Sequence, residues 1–207
     1  MLLRLLITHP GVFFIIAVPL LYSLIMHELA HAVCAYWFGD TTAKDRGRIT
    51  FNPLAHLDLL GTGLLLIAGF GWAKPVPINY SRIKPRKPGI ICCSLAGVTT
   101  NFIIALLCLF AYKYLRAYYT GNSIVLIALG ITAEINIVLA SFNLLPIPPL
   151  DGSRVLAEIL PRNVQYLFYS MERFGIIILI VLLNLNILDP VIDFIRSMLL
   201  AIIGFFI

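Results

Sequence analysis

Leu20-Leu21-Tyr22-Ser23-Leu24-Ile25-Met26-His27-Glu28-Leu29-Ala30-His31-Ala32-Val33-Cys34 lies inside an apolar run that extends over 12–38. A helix needs about 20 apolar residues to cross a bilayer core, and this run exceeds that. Ionisable groups inside such a helix are costly and mark function by default. Here His27, Glu28 and His31 fall within one and a half helical turns and spell HExxH. Residues i and i+4 share a helix face, so both imidazoles can reach one metal ion. Glu28 stands beside them, able to take a proton from a metal-activated water. The bland alternative, two histidines filling packing gaps, has no use for a carboxylate between them.

The rest of the chain agrees with a membrane setting. Of its 207 residues, 60% are hydrophobic and 12% charged, and the mean hydropathy is +0.97. Soluble domains carry about a quarter charged residues. The net charge of +5 does not point to nucleic acid, because the basic residues cluster in short loops between apolar runs, as in cytoplasmic loops of membrane proteins. Cys34, Cys92, Cys93 and Cys108 lie in or beside apolar segments without paired spacing, and read as small buried hydrophobes.

Further apolar runs cover 59–72, 90–112, 124–145, 164–185 and 191–207. The first of these is short and contains Gly61, Gly63, Gly69 and Gly71. That glycine density disfavours a helix interior, so the segment is expected to dip into the membrane and return. Catalytic zinc usually has three protein ligands and one open position. Asp151 is the best third ligand, because Pro146, Pro148, Pro149 and Gly152 hold it where irregular backbone meets the membrane.

Charge tests the topology. With a re-entrant 59–72, one side of the membrane receives Lys44, Arg46, Arg48, Lys74, Arg82, Lys84, Arg86, Lys87, Arg154 and Arg162. The other keeps only Arg4, Lys113 and Arg116. A spanning 59–72 would even out the two sides, and the positive-inside rule prefers the asymmetric arrangement. Only that arrangement brings Asp151 out on the side where the first helix carries His27 and His31.

Three motifs in this order resemble the site-2 protease family: His27-Glu28-Leu29-Ala30-His31, the GxxxN of Gly97-Val98-Thr99-Thr100-Asn101, and Asn143 through Gly152, which matches NxxPxPxLDG. Gly69-Phe70-Gly71 is similar to that family's membrane re-entrant β-loop, and Arg48 through Asp58 to a stretch in its compact members. The resemblance implies an intramembrane zinc metalloprotease with one Zn2+ per chain, held by His27, His31 and Asp151. Glu28 would be the general base. Asn143 would contact the oxyanion or substrate backbone, with Asn101 as a second polar candidate. The edge of Gly69-Phe70-Gly71 would hold an unwound substrate by strand addition. His56 is a possible accessory ligand.

The expected fold is an all-α polytopic membrane protein with about five transmembrane helices plus the re-entrant β-loop. One domain is expected over 1–207: a first helix at 12–38, a polar and re-entrant region at 40–88, core helices at 90–112 and 124–145, and C-terminal helices at 164–185 and 191–207. Neither an inserted PDZ-like domain nor a nucleotide-sensing domain is expected. The expected partners are a transmembrane protein substrate and the lipid bilayer, with no nucleic acid. The expected location is the plasma membrane, with the N-terminus outside and the C-terminus and active-site side cytoplasmic. The rival reading is a membrane metal transporter or a non-catalytic metal-binding membrane protein, which would not need Glu28 as a base.

Overall fold

The computed structural model describes residues 2–68, 71, 73–118 and 123–207. The described residues form helices and connecting coil. A short helix α1 (Leu2–Thr8) precedes the long α2 (Pro10–Trp37), which carries the HExxH, and a single turn, α3 (Thr42–Asp45), follows it. Pro10 opens α2 where its missing N–H costs nothing. Gly39, with φ of +98°, turns the chain out of it.

Helix α5 (Arg86–Leu115) is central and packs against both α2 and α6 (Ile124–Asn143). The helix α7 (Asp151–Ile159) also rests on α5, and α8 (Arg162–Asn184) on α7. The last helix, α9 (Asp189–Phe206), lies against α5 and α6 through Leu199 and Ile203, which meet Val98, Ala105, Ile137 and Ala140. Four helices, α2, α5, α6 and α8, are long and apolar enough to cross a membrane, so the chain is a multi-pass membrane protein. Helix α9 carries Asp189, Asp193 and Arg196, and Arg196 makes an ion pair with Glu134 of α6 at 2.7 Å.

The polar region between α2 and α5 begins and ends at the same end of α2. The buried Asp40 takes the Thr42 N–H on Oδ1 at 3.0 Å and the Asn79 N–H on Oδ2 at 2.6 Å. Lys84 N–H donates to Phe38 O at 2.9 Å. Arg48 donates to Lys74 O at 2.8 Å. Ile83 and Ile90 pack on Ala35.

The expectation that glycine keeps 59–72 from forming a helix needs correction. Residues Leu59–Ala68 form a helix, α4, with Gly61 and Gly63 inside it. Asp58 explains this: its Oδ1 accepts the Gly61 N–H at 2.8 Å and its backbone O accepts from Thr62 at 2.8 Å. It is the helix N-cap, followed by a leucine-rich run with high helix propensity. Gly69 and Phe70 lie outside the described residues. Gly71 is exposed coil.

Candidate metal centre

The HExxH helix alone does not aim its imidazoles; α5 does. Cys93, Gly97 and Asn101 recur every fourth residue along one face of α5, and each meets a histidine. The Cys93 carbonyl accepts from His31 Nδ1 at 2.7 Å. Asn101 Oδ1 lies 2.5 Å from His27 Nδ1. Between them, a methyl group on Gly97 would stand 2.5 Å from His31 Nε2 and 2.5 Å from His27 Cε1. Gly97 is therefore the residue that lets α5 lie directly over both rings.

These partners fix the tautomers. A carbonyl oxygen only accepts, so His31 Nδ1 carries its proton. Asn101 spends its amide N–H on Asn136 Oδ1 at 2.7 Å, so its Oδ1 accepts from His27 Nδ1–H. Asn136 in turn donates to Ser23 Oγ at 2.8 Å and to Thr132 O at 2.8 Å. Asn101 and Asn136 are fully buried and Ser23 nearly so. The chain of donors runs outward from His27 through α5 and α6 and back to α2, one turn before His27.

Both Nε2 atoms are left as lone-pair donors, and they face each other at 3.0 Å. Asp151 closes the triangle, with Oδ2 at 3.2 Å from His27 Nε2 and at 3.2 Å from His31 Nε2. Two ligands at tetrahedral angles on zinc, each about 2.0 Å from the metal, lie about 3.3 Å apart. The three edges match that spacing. Three converging lone pairs, with a buried Asp151 Oδ2 that has no hydrogen-bond partner, fit a bound cation.

Asp151 is delivered by the loop after α6. Leu145 and Leu150 are buried against Leu179 of α8 and Leu188. A methyl on Gly152 would run into the carbonyls of Leu144 and Leu145, so the turn closes only on glycine. One turn along α7, Arg154 bonds Glu172 of α8 at 3.0 Å and lies 4.7 Å over the Tyr80 ring. Burial pushes the Tyr80 phenol up to about 12, so it stays neutral.

Glu28 is half-buried beside the pair, and its Oε2 accepts the Val76 N–H at 2.9 Å. Asn143 is the last residue of α6, half-buried, donating to Leu139 O at 3.0 Å. His56 is not part of the His27–His31–Asp151 group. It is buried, with Nε2 donating to Thr50 O at 2.8 Å. Sequence reasoning missed Val76, Arg154, Cys93 and Ser23. The last two could be found by stepping one helical turn back from Gly97 and His27.

The model of peptidase family M50 matches residues 118–185. The chain is 44% identical over 176 residues to the Bacillus subtilis (strain 168) protein named "Putative zinc metalloprotease YwhC", covering 81% of this chain and 78% of that one. It is 31% identical over 184 residues to Rip2 of Mycolicibacterium smegmatis, which carries the same description, covering 86% of this chain and 69% of Rip2. It is 26% identical over 162 residues to "Zinc metalloprotease MJ0392" of Methanocaldococcus jannaschii, covering 78% of this chain and 39% of that protein. No solved structure matches the chain. All three relatives are named as proteases, none as a transporter. The motifs, the three-ligand geometry and these relatives agree: the chain belongs to peptidase family M50, the site-2 protease family of intramembrane zinc metalloproteases.

Proposed function

We propose that His27, His31 and Asp151 hold the zinc ion and that Glu28 is the catalytic base of peptide-bond hydrolysis in a transmembrane protein substrate. The observation that carries this is the triangle of lone pairs with edges of 3.0, 3.2 and 3.2 Å, next to a carboxylate on the same helix. When bound, zinc makes a water nucleophilic near neutral pH and polarises the scissile carbonyl. Glu28 takes the proton of the attacking water and returns it to the leaving amine. The Val76 N–H holds one carboxylate oxygen of Glu28 and so sets which oxygen faces the reaction. Asn143 donates to the developing oxyanion or to the substrate backbone. Asn101 orients His27 through Nδ1, a role that its full burial and its bonds to His27 and Asn136 support better than direct substrate contact. Asn136 and Ser23 back it up. Gly69, Phe70 and Gly71 keep the proposed part of an edge that receives the unwound substrate.

The proposed topology is one domain of the plasma membrane with four crossing helices, α2, α5, α6 and α9, rather than the expected five: α9 runs alongside α5 from Leu199 beside Val98 to Ile207 beside Leu109, while Leu179 of α8 and Leu188 after it both pack at the Leu145 and Leu150 end. Helix α4, with 10 residues, is about 15 Å long at 1.5 Å per residue, half of a bilayer core of about 30 Å. It dips in and returns, as the bonds from Asn79 and Lys84 to the end of α2 support. The positive loops support a cytoplasmic location for that end and for the metal ligands, with the N-terminus outside, whereas the expected cytoplasmic C-terminus needs correction: Lys113 at the far end of α5 donates to Ile207 O and Ile207 packs with Leu109.

The test is purified chain with single-span membrane substrates, comparing wild type with Glu28→Gln and with chelator-treated protein. Glu28→Gln should keep one zinc per chain and lose cleavage by about 10²-fold or more. Folded wild type without stoichiometric zinc would refute the proposal.

A further inference from the structure

Some of this chain's cations have side-chain partners. Arg154 pairs with Glu172, Arg196 with Glu134, and Lys44 donates to Tyr36 Oη at 3.0 Å. Arg86, Lys87 and Arg162, like several other loop cations, are used by none of the ion pairs among the described residues; what sets them apart is that they share a cleft. They line one cleft of about 690 Å³. The carboxylate in that cleft, Glu158, is 7% exposed. Its Oε1 is occupied by Gln165 Nε2 at 2.8 Å and Tyr169 Oη at 2.6 Å. Three cations therefore converge on a space whose single acid is turned toward neutral donors.

The position of the cleft says what fills it. Arg86 and Lys87 open α5, and Arg162 opens α8. Both helices are long and apolar enough to cross a membrane. Their shared first turns therefore mark the membrane surface, where lipid phosphates lie. Pro85 and Pro161 precede them and provide no side-chain cap. Tyr166, 77% exposed, stands at the rim, as tyrosines do at the headgroup level.

We propose that this cleft binds the phosphodiester headgroup of an anionic phospholipid. Arg86 and Arg162 contact the phosphate oxygens, and Lys87 contributes a further positive charge. Three cations set against one carboxylate suit a monoanionic phosphodiester. The site also has a mechanical role. Glu158 belongs to α7, whose first residue is Asp151. A bound headgroup thus ties α5 to α8, and both pack on α7, the helix that opens with the metal ligand. The proposal stands apart from the protease assignment, since lipid retention is read without turnover.

The test uses zinc-loaded full chain in phosphatidylcholine nanodiscs, with and without phosphatidylglycerol. Phosphatidylglycerol retained after transfer to detergent is counted by native mass spectrometry, and the thermal midpoint is followed. Wild type should retain one phosphatidylglycerol and unfold at a higher temperature when it is present. Arg86→Gln/Arg162→Gln should retain it more than tenfold less, at roughly fivefold per cation. Arg82→Gln/Lys84→Gln, which removes the same charge from the neighbouring loop outside the cleft, should behave as wild type. Lys87→Gln serves if the double variant fails to load zinc. Equal losses in both double variants would mean diffuse surface charge and overturn the site. A lipid-independent shift produced by inorganic phosphate would assign it to a soluble anion. Displacement of the lipid by an acidic peptide would assign it to a protein partner. Either result overturns the lipid proposal.

Discussion

At the scale of single residues, the metal centre depends on side chains that never touch the metal. Asn136 is two contacts away from His27, yet its amide keeps Asn101 turned so that His27 Nδ1 finds an acceptor. Removing such a partner typically weakens metal binding about 10- to 100-fold. Asn136→Leu should therefore raise the zinc dissociation constant by that factor in a chelator competition, with helix content unchanged. Gly97→Ala should do more. Its methyl would stand 2.5 Å from both rings, well inside van der Waals contact, and neither histidine can retreat without giving up its Nδ1 bond. The expected result is folded protein with substoichiometric zinc by metal analysis. A Gly97→Ala chain with full zinc would show that α5 can back away from α2.

At the scale of elements, the long helices were legible because hydropathy writes them directly. The runs at 12–38, 90–112, 124–145, 164–185 and 191–207 correspond to α2, α5, α6, α8 and α9 within a few residues. The grouping of His27, His31 and Asp151 was also legible, since positions i and i+4 share a helix face and LDG follows a proline-rich turn. What escaped the sequence depends on a local bond or on a distant one. Helix α4 was hidden by its glycines, although Asp58 three residues before Gly61 is a capping signal. Asp58→Ala should cost about 1 kcal/mol locally, seen as faster amide exchange across 59–68 with the rest of the chain unaffected. The role of Asn101 was hidden because its partners lie 74 and 35 residues away in sequence. Arg154 was hidden because its meaning comes from Glu172 and Tyr80, on two other segments.

At the scale of the whole molecule, topology is the property most open to direct measurement. Single cysteines replacing Arg46, Arg82 and Arg162, on a background without the native cysteines, should all be labelled by an impermeant maleimide from the cytoplasmic side. Arg116→Cys should be labelled from the opposite side. Labelling of Arg46→Cys and Arg82→Cys from opposite faces would make α4 a spanning segment and remove the re-entrant arrangement. The stripe of Cys93, Gly97 and Asn101 has a consequence for how a substrate gets in. Because the three residues hold both imidazoles at a single pitch, α5 cannot slide along α2 by even one turn, about 5.4 Å, without presenting the wrong side chain to each ring. The α2–α5 seam is thus a locked joint. Any door that opens for a substrate has to swing on the other side of α2, where α1 and α4 rest on each other and no metal ligand depends on their register.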